Sequence, residues 1–193
     1  MIVYDITREM FSADRYPGDP LPRVTALKTV QGGDGYRLSR ISIGSHIGTH
    51  VDAPLHFIEG GRDAAGLDLA RCMGACTVIT YHGEITAGVL QKMLLELDRP
   101  ARVLFRGKTL LTEAAARILS VFDVRLVGFD DLNIAAGDVS DAVHRELLAH
   151  EIVILENLVL DDIEDGRYFL SALPLKMDGL DGSPVRAVLM TDD

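Results

Sequence analysis

Residues 46–57 read His-Ile-Gly-Thr-His-Val-Asp-Ala-Pro-Leu-His-Phe, and they form the most informative stretch of the chain. The even positions include three histidines and an aspartate, whereas the odd positions are apolar apart from Thr49. Side chains of an extended strand alternate between its two faces, so the pattern predicts a strand with one polar face and one buried face. A helix fits poorly, because Pro54 opposes its continuation and Asp52 would leave the face shared by the first two histidines.

The polar face of this stretch is a candidate metal site. The chain contains six histidines in 193 residues, yet three of them lie between positions 46 and 56. Imidazole and carboxylate groups together suit zinc, manganese or iron. Four residues of straight strand span roughly 13 Å, so His46 and His50 can share an ion only if the chain bends, and Gly48 permits that bend. The alternative, from these residues alone, is an amphipathic strand whose polar face is solvated.

Outside this stretch, the sequence predicts a mixed α/β chain that is β-rich at both ends. Strands and helices alternate in the middle, which implies parallel strands joined by helical crossovers. We found no repeat or linker-like segment and expect a single domain over residues 1–193. The predicted strands are 2–6, 23–30, 36–43, 75–81, 101–105, 124–129, 152–155, 168–176 and 185–190, with turns at 31–35 and 178–182, and the predicted helices are 86–97, 140–150 and one that begins near 112.

Composition excludes several classes of protein. Nineteen basic and 29 acidic residues give a net charge of −10, which argues against nucleic acid or an anionic membrane as a partner. No run of 18 apolar residues is present, and the first residues lack the basic start of a signal peptide, so we expect neither a membrane span nor secretion. Two cysteines cannot form a disulfide framework, and we expect a reducing, cytoplasmic location.

The stretch 46–56 resembles the signature H-x-G-T-H-x-D-x-P-x-H of the metal-dependent cyclase and bacterial kynurenine formamidase family. Segments 5–7 and 16–19 resemble the opening of that family, and 154–158 and 172–175 resemble its closing segments. The resemblance implies an α/β domain of the swivelling β/β/α type, with a barrel-like, mostly β core and flanking helices. It also implies a homodimer or larger homo-oligomer.

The same resemblance implies roles for the residues of the signature. His46 and His50 would hold one metal ion, and Asp52 would bridge this ion to a second one. His56 would act as the catalytic acid and base. The expected cofactor is therefore a pair of divalent ions, with two zinc ions per chain as the first expectation and manganese as the alternative.

The resemblance assigns the second ion to a histidine and a glutamate twelve residues apart, a spacing that His144 and Glu156 have. From the residues alone, Glu156 interrupts an apolar run, and a buried carboxylate is costly unless it is paired or bound to metal. The alternative for Glu156 is a salt bridge to an arginine. His144 lies on the inward side of its predicted helix, and its alternative is a hydrogen-bonded core residue.

Specificity is expected to involve Tyr16, because an aromatic residue before Pro-Gly-Asp stacks on the substrate in this family. Kynurenine formamidases usually carry tryptophan there, whereas this chain has no tryptophan. The resemblance implies metal-dependent hydrolysis of an aryl formamide such as N-formylkynurenine, which gives formate and kynurenine. Two alternatives are a hydrolase that opens a cyclic amide or lactone, as isatin hydrolases of the family do, and an inactive metal-stabilised binding protein.

Overall fold

One nine-stranded sheet organises the computed structural model, which describes residues 1–192. Its order is β1-β13-β11-β5-β7-β9-β10-β4-β12, and two further pairs, β2-β3 and β6-β8, lie outside it. The strands are β1 (Ile2–Asp5), β2 (Arg23–Lys28), β3 (Leu38–Ser42), β4 (His50–Asp52), β5 (Met73–Thr80), β6 (Gly83–Ile85), β7 (Arg102–Arg106), β8 (Thr109–Leu111), β9 (Leu126–Phe129), β10 (Val153–Glu156), β11 (Gly166–Ser171), β12 (Gly182–Pro184) and β13 (Val188–Thr191).

Four helices accompany the strands: α1 (Leu69–Cys72), α2 (Ala87–Glu96), α3 (Glu113–Val121) and α4 (Ser140–Ala149). The central strands β5, β7, β9 and β10 run parallel, and α2, α3 and α4 each lie in a connection between two of them. The predicted helical crossovers are therefore confirmed. Within residues 1–192, no helix combines the length and the apolar character needed to cross a membrane.

The central strands are buried on both faces, which explains their nearly continuous apolar sequences. In β7, Val103 and Phe105 pack in the cluster formed with α2, α3 and α4, whereas Leu104 packs in the cluster on the opposite face. The same alternation occurs in β10, where Ile154 faces the helices and Leu155 faces away from them. This alternation places the next residue of β10, Glu156, on the side of the sheet that faces the helices.

The mixed α/β class and the barrel-like core are confirmed, because the sheet is a curled half-barrel with β1 and β12 as its edges. The predicted hairpin of 23–30 and 36–43 is present as β2 and β3, and nearly all of its residues are exposed. Prediction was wrong near the end of the chain. The strand expected at 168–176 ends at Ser171, and Gly182 begins the short strand β12 instead of ending a turn.

Candidate metal centre

The signature stretch is extended only over β4, because the chain turns on either side of it. Gly48 has a φ of +60°, and a Cβ at this position would lie 3.0 Å from the carbonyl oxygen of Arg8. The predicted bend at Gly48 is thus confirmed, and it places His46 in a turn before the strand. On the other side, Pro54 begins a short 3₁₀ helix that ends at His56. The predicted long strand is therefore wrong in extent, since turns at both ends direct the outer histidines back to the centre.

The apolar face of the stretch is buried, as predicted. Ile47, Val51 and Ala53 are at most 3% exposed, and Val51 and Ala53 belong to the core on the side of the sheet away from the helices. His50 and Asp52 must then point to the opposite side, toward α4. The register completes this placement, because β4 pairs antiparallel with β10 and sets His50 directly opposite Glu156.

Four side chains converge on this side of the sheet. His50 Nε2 lies 3.2 Å from Glu156 Oε2 and 3.5 Å from Asp52 Oδ1. From α4, His144 Nε2 lies 3.6 Å from Glu156 Oε1 and 3.8 Å from Asp52 Oδ2. Each of the two histidines donates a hydrogen bond from its other ring nitrogen to a backbone carbonyl. His50 Nδ1 donates to the Gly48 oxygen at 2.9 Å, and His144 Nδ1 donates to the Ser140 oxygen at 2.8 Å. We call these four residues the inner half of the centre.

The inner half fits a divalent cation. His50 Nε2, Asp52 Oδ2 and Glu156 Oε1 are buried, and none of them has a hydrogen-bond partner among residues 1–192. Leaving such groups unpaired costs about 1–3 kcal/mol each, and more when they are charged. One cation among them would satisfy all three atoms at once, and the nitrogen and oxygen donors are those of zinc and manganese sites. The ion pairs of Glu156 within residues 1–192 are with His50 and His144. The structure therefore does not show the alternative salt bridge between Glu156 and an arginine.

The outer half of the centre consists of His46, His56 and Asp181. The ring of His46 lies 4.1 Å from that of His56, and His46 Nδ1 is 2.9 Å from Asp52 Oδ1. Asp181 Oδ2 lies 3.0 Å from His46 Nε2 and 3.3 Å from His56 Nδ1. Sequence reasoning missed Asp181, because its neighbours 178–182 predict only a turn.

Two sets of donor atoms lie close enough to hold an ion. One set comes from His50, Asp52 and Glu156, and the other from His46, Asp52 and His56. Asp52 belongs to both sets, which agrees with a carboxylate between two ions. The pairing of His46 with His50 that the resemblance implies is not one of these sets, although their rings are 5.0 Å apart.

The charges of the centre are strongly coupled. Burial opposes a charge on His46, but hydrogen bonds to Asp181 and Asp52 outweigh it and raise the pKa of His46 to about 10. Burial also opposes a charge on His50 and His144, and in both cases the Glu156 carboxylate reverses the balance and raises the pKa. In the metal-free chain, protons therefore compete with any incoming cation for the nitrogens of these three histidines.

His56 and Asp52 shift in the other direction. Burial lowers the pKa of His56, and although the Asp52 carboxylate opposes this shift, the positive charge of His46 acts in the same direction as burial. Burial alone would raise the pKa of Asp52, but its hydrogen bond with His46 and the charges of the neighbouring histidines lower it instead. Asp52 is therefore ionised and able to bind a cation.

A cavity of about 260 Å³ opens above the centre. It is lined by His50, His144 and Glu156 of the inner half and by His46 and His56 of the outer half, and Tyr16, which is 61% exposed, lies on its wall. A larger groove of about 480 Å³ lies along β5, β11 and β13, but none of the candidate metal-binding groups found among residues 1–192 lines it. The remaining lining residues of the smaller cavity are Asp19, Phe57, Leu132, Asn133, Gly137, Ser140 and Asp141.

Comparison with known proteins agrees with this geometry. The family model described as "Putative cyclase" matches residues 4–136. The chain belongs to the cyclase family. A member from Bacillus cytotoxicus, named kynurenine formamidase, is 33% identical over 187 residues that cover 90% of each chain. A second kynurenine formamidase, from Polaromonas naphthalenivorans, is 32% identical over 90% of this chain and 83% of its own length.

Solved structures show the same cyclase-family fold. A predicted metal-dependent hydrolase from Bacillus stearothermophilus superposes with a TM-score of 0.80 at 31% identity, over 97% of both chains. Isatin hydrolase A from Labrenzia aggregata superposes with a TM-score of 0.84 at 22% identity, over 99% of this chain and 94% of its own. At 22% identity, the similarity to isatin hydrolase A concerns the fold alone.

Proposed function

We propose that this cyclase-family chain is a metal-dependent hydrolase that cleaves an aryl formamide such as N-formylkynurenine to formate and kynurenine. One observation carries the proposal: three buried donor atoms from His50, Asp52 and Glu156, none with a hydrogen-bond partner among residues 1–192, converge at the base of an open cavity. The kynurenine formamidases that share about a third of its sequence support the substrate class.

The proposed ligands are the five residues that the family resemblance implies. His46 and His50 would hold the first ion, Asp52 would contribute to both, and His144 and Glu156 would hold the second. We propose two zinc ions, with manganese as the alternative, because the donors are imidazole and carboxylate groups. When bound, a divalent cation lowers the pKa of water from 15.7 to about 7 and polarises an amide carbonyl.

His56 is the proposed acid and base of the reaction. Its ring can take a proton from the attacking water and deliver it to the leaving aniline nitrogen, and its lowered pKa favours the form that accepts the proton. His56 is partly exposed, and its ring packs edge-on against Phe57 at 4.5 Å. Tyr16 provides the exposed aromatic wall against which an aryl substrate stacks, whereas the Phe57 ring already stacks on His144 at 4.8 Å and adds an apolar edge to the cavity.

A cyclic amide or lactone is the second candidate substrate. It is favoured by Tyr16, which stands where kynurenine formamidases usually carry tryptophan and which leaves a differently shaped wall. Solved isatin hydrolases share the fold, so the fold accommodates ring opening. The two candidates differ in product, because opening a ring releases no formate.

The decisive experiment measures formate released from N-formylkynurenine by protein of known metal content. Isatin and a simple aryl ester serve as comparators on the same preparation. Formate release that depends on added zinc or manganese supports the formamidase proposal. Opening of isatin without formate release from N-formylkynurenine assigns the chain to the second candidate, and failure on every substrate by metal-loaded protein indicates an inactive binding protein.

Assembly and location remain part of the proposal. We propose a homodimer or larger homo-oligomer, supported by the apolar side chains that the β2-β3 hairpin exposes, among them Val24, Tyr36 and Ile41. Light scattering on a sizing column tests this. A cytoplasmic location is supported by Cys72 and Cys76, which are both free and buried.

A further inference from the structure

Asp181 lies behind two of the four histidines of the centre. Its Oδ2 is within hydrogen-bond distance of His46 Nε2, at 3.0 Å, and of His56 Nδ1, at 3.3 Å. Its Oδ1 accepts a hydrogen bond from Ser45 Oγ at 2.8 Å. One carboxylate thus contacts a proposed metal ligand and the proposed acid and base of the reaction.

We infer that Asp181 is a positioning residue that fixes the ring orientation and the tautomer of both His46 and His56. A carboxylate that accepts a proton from one nitrogen of an imidazole leaves the lone pair on the other nitrogen. For His46 that nitrogen is Nδ1, which lies 2.9 Å from Asp52 Oδ1 and would give up its proton when a cation binds. For His56 it is Nε2, which becomes the nitrogen that exchanges protons in the reaction.

The backbone around Asp181 is itself anchored to the signature stretch. Its carbonyl oxygen accepts a hydrogen bond from the backbone nitrogen of Ala53 at 2.9 Å. The next residue, Gly182, pairs with Asp52 across β12 and β4, and a Cβ on it would lie 2.7 Å from Cε1 of His46. The glycine therefore allows this turn to approach the ring closely, and the sheet holds the carboxylate at a set distance.

The inner half shows why this support is specific to the outer half. His50 and His144 each donate to a backbone carbonyl, that of Gly48 and that of Ser140. Their orientation does not depend on Asp181. Loss of the Asp181 carboxylate should therefore disturb His46 and His56 and leave the inner histidines in place.

The inference rests on the proposed roles of His46 and His56, so its first test measures metal binding rather than activity. Zinc affinity is measured by competition with a chromogenic chelator for wild-type protein, Asp181→Ala and the control Asp178→Asn, an exposed aspartate in the same turn. We expect Asp181→Ala to bind zinc about 10- to 100-fold more weakly, the usual effect of removing an outer carboxylate, and Asp178→Asn to match wild type. In a His46→Ala background, Asp181→Ala should weaken zinc binding by less than about twofold.

Two results would overturn the part that concerns His46. One is wild-type zinc affinity in Asp181→Ala. The other is an equal further loss in the His46→Ala background, which would mean that Asp181 acts independently of His46. Circular dichroism of each variant confirms that the fold is retained, and because no substrate is involved, this test decides the inference even if the proposed reaction fails.

The second test concerns His56 and uses saturating zinc with whichever amide the wild-type protein turns over. We expect Asp181→Ala to lower kcat about 10- to 100-fold with KM changed by less than about twofold, because the disturbed group moves protons rather than binds substrate. In a His56→Ala background the same substitution should have almost no effect on kcat. A change in KM alone, or a full additive loss on top of His56→Ala, would refute the assignment.

Discussion

The two halves of the centre are built differently from the same kinds of residue. The side chains of the inner half are at most 10% exposed and stand on β4, β10 and α4, and both inner histidines are held by backbone carbonyls. The side chains of the outer half are 19–40% exposed and stand on turns, where they are held by each other's side chains. The difference indicates a division of labour, in which regular elements give the inner half the rigidity that metal binding needs and turns open the outer half to substrate.

Substitution of Asp52 should have the largest effect, because Asp52 is the carboxylate that both sets of donor atoms share. We expect Asp52→Asn to lower the metal content from about two ions per chain to less than one and to abolish activity, since the amide cannot offset the charge of two ions. Elemental analysis of protein purified without chelator measures this. Retention of both ions would contradict the bridging role and the importance of the inner half.

His56→Ala should separate the two halves most clearly. We expect it to keep its metal while kcat falls roughly 10²- to 10⁴-fold, the usual contribution of a general acid and base. Steady-state kinetics paired with metal analysis on the same sample tests this. If His56→Ala lost its metal while Asp52→Asn retained it, the roles assigned to the two residues would be reversed.

Metal affinity should rise with pH because protons occupy His46, His50 and His144 in the metal-free chain. The stability of metal-free protein should move in the opposite direction. The pKa of His46 is raised from 6.5 to about 10, so its stabilisation is complete below pH 6.5 and is lost as the pH rises toward 10.

Chelator competition between pH 6 and 9 measures the affinity, and thermal melts of stripped protein between pH 6.5 and 10 measure the stability. His46→Ala should flatten the decline in the melting temperature, which identifies the outer half as its source. A metal affinity that is independent of pH would contradict the protonated state of these histidines.

Gly48→Ala should destabilise the chain by about 1–2 kcal/mol, because the left-handed backbone is unfavourable for a residue with a Cβ. The added methyl group would also crowd the Arg8 carbonyl and shift His46 relative to His50. Urea unfolding measures the loss, with Gly44→Ala as a control because a Cβ there meets only Pro20 at 3.4 Å. Equal stability of the two variants would show that the bend does not need glycine.

Substitution of Tyr16 should have the smallest effect on activity. A stacking contact contributes about 0.5–1.5 kcal/mol beyond burial, so Tyr16→Ala should raise KM for aryl amides about two- to tenfold and leave the metal content unchanged. Tyr16→Trp should improve turnover of N-formylkynurenine if the pocket serves a formamidase, and should impair turnover of the native substrate if the smaller ring makes room for another compound. Unchanged kinetics in both variants would place Tyr16 outside the binding site.

The inner half could be predicted from the sequence because each of its residues stands at an informative position in a regular apolar pattern. His50 and Asp52 alternate with apolar residues, and Glu156 stands inside an apolar run. His144 could be placed on the inward face of its helix. Periodicity of this kind survives into the structure, because burial of one face enforces it.

The outer half was less accessible to prediction, because turns carry no periodicity. His46 and His56 follow the alternation of the stretch, but their roles came only from the signature, and their geometry depends on Gly48 and on the 3₁₀ helix that begins at Pro54. Asp181 gave no signal at all. Its role arises from the pairing of β12 with β4, a contact between positions about 130 residues apart that local sequence cannot show.

The position of β4 in the sheet also has a consequence for synthesis of the chain. Among residues 1–192, the partners of β4 are β10 and β12, whose residues lie between 153 and 184. A ribosome that has completed residue 150 has already made all the histidines, but β4 then lacks both neighbouring strands and the centre lacks Glu156 and Asp181. Because a preformed ion site requires the folded arrangement, metal capture is tied to synthesis of the segment that contains β10 and β12.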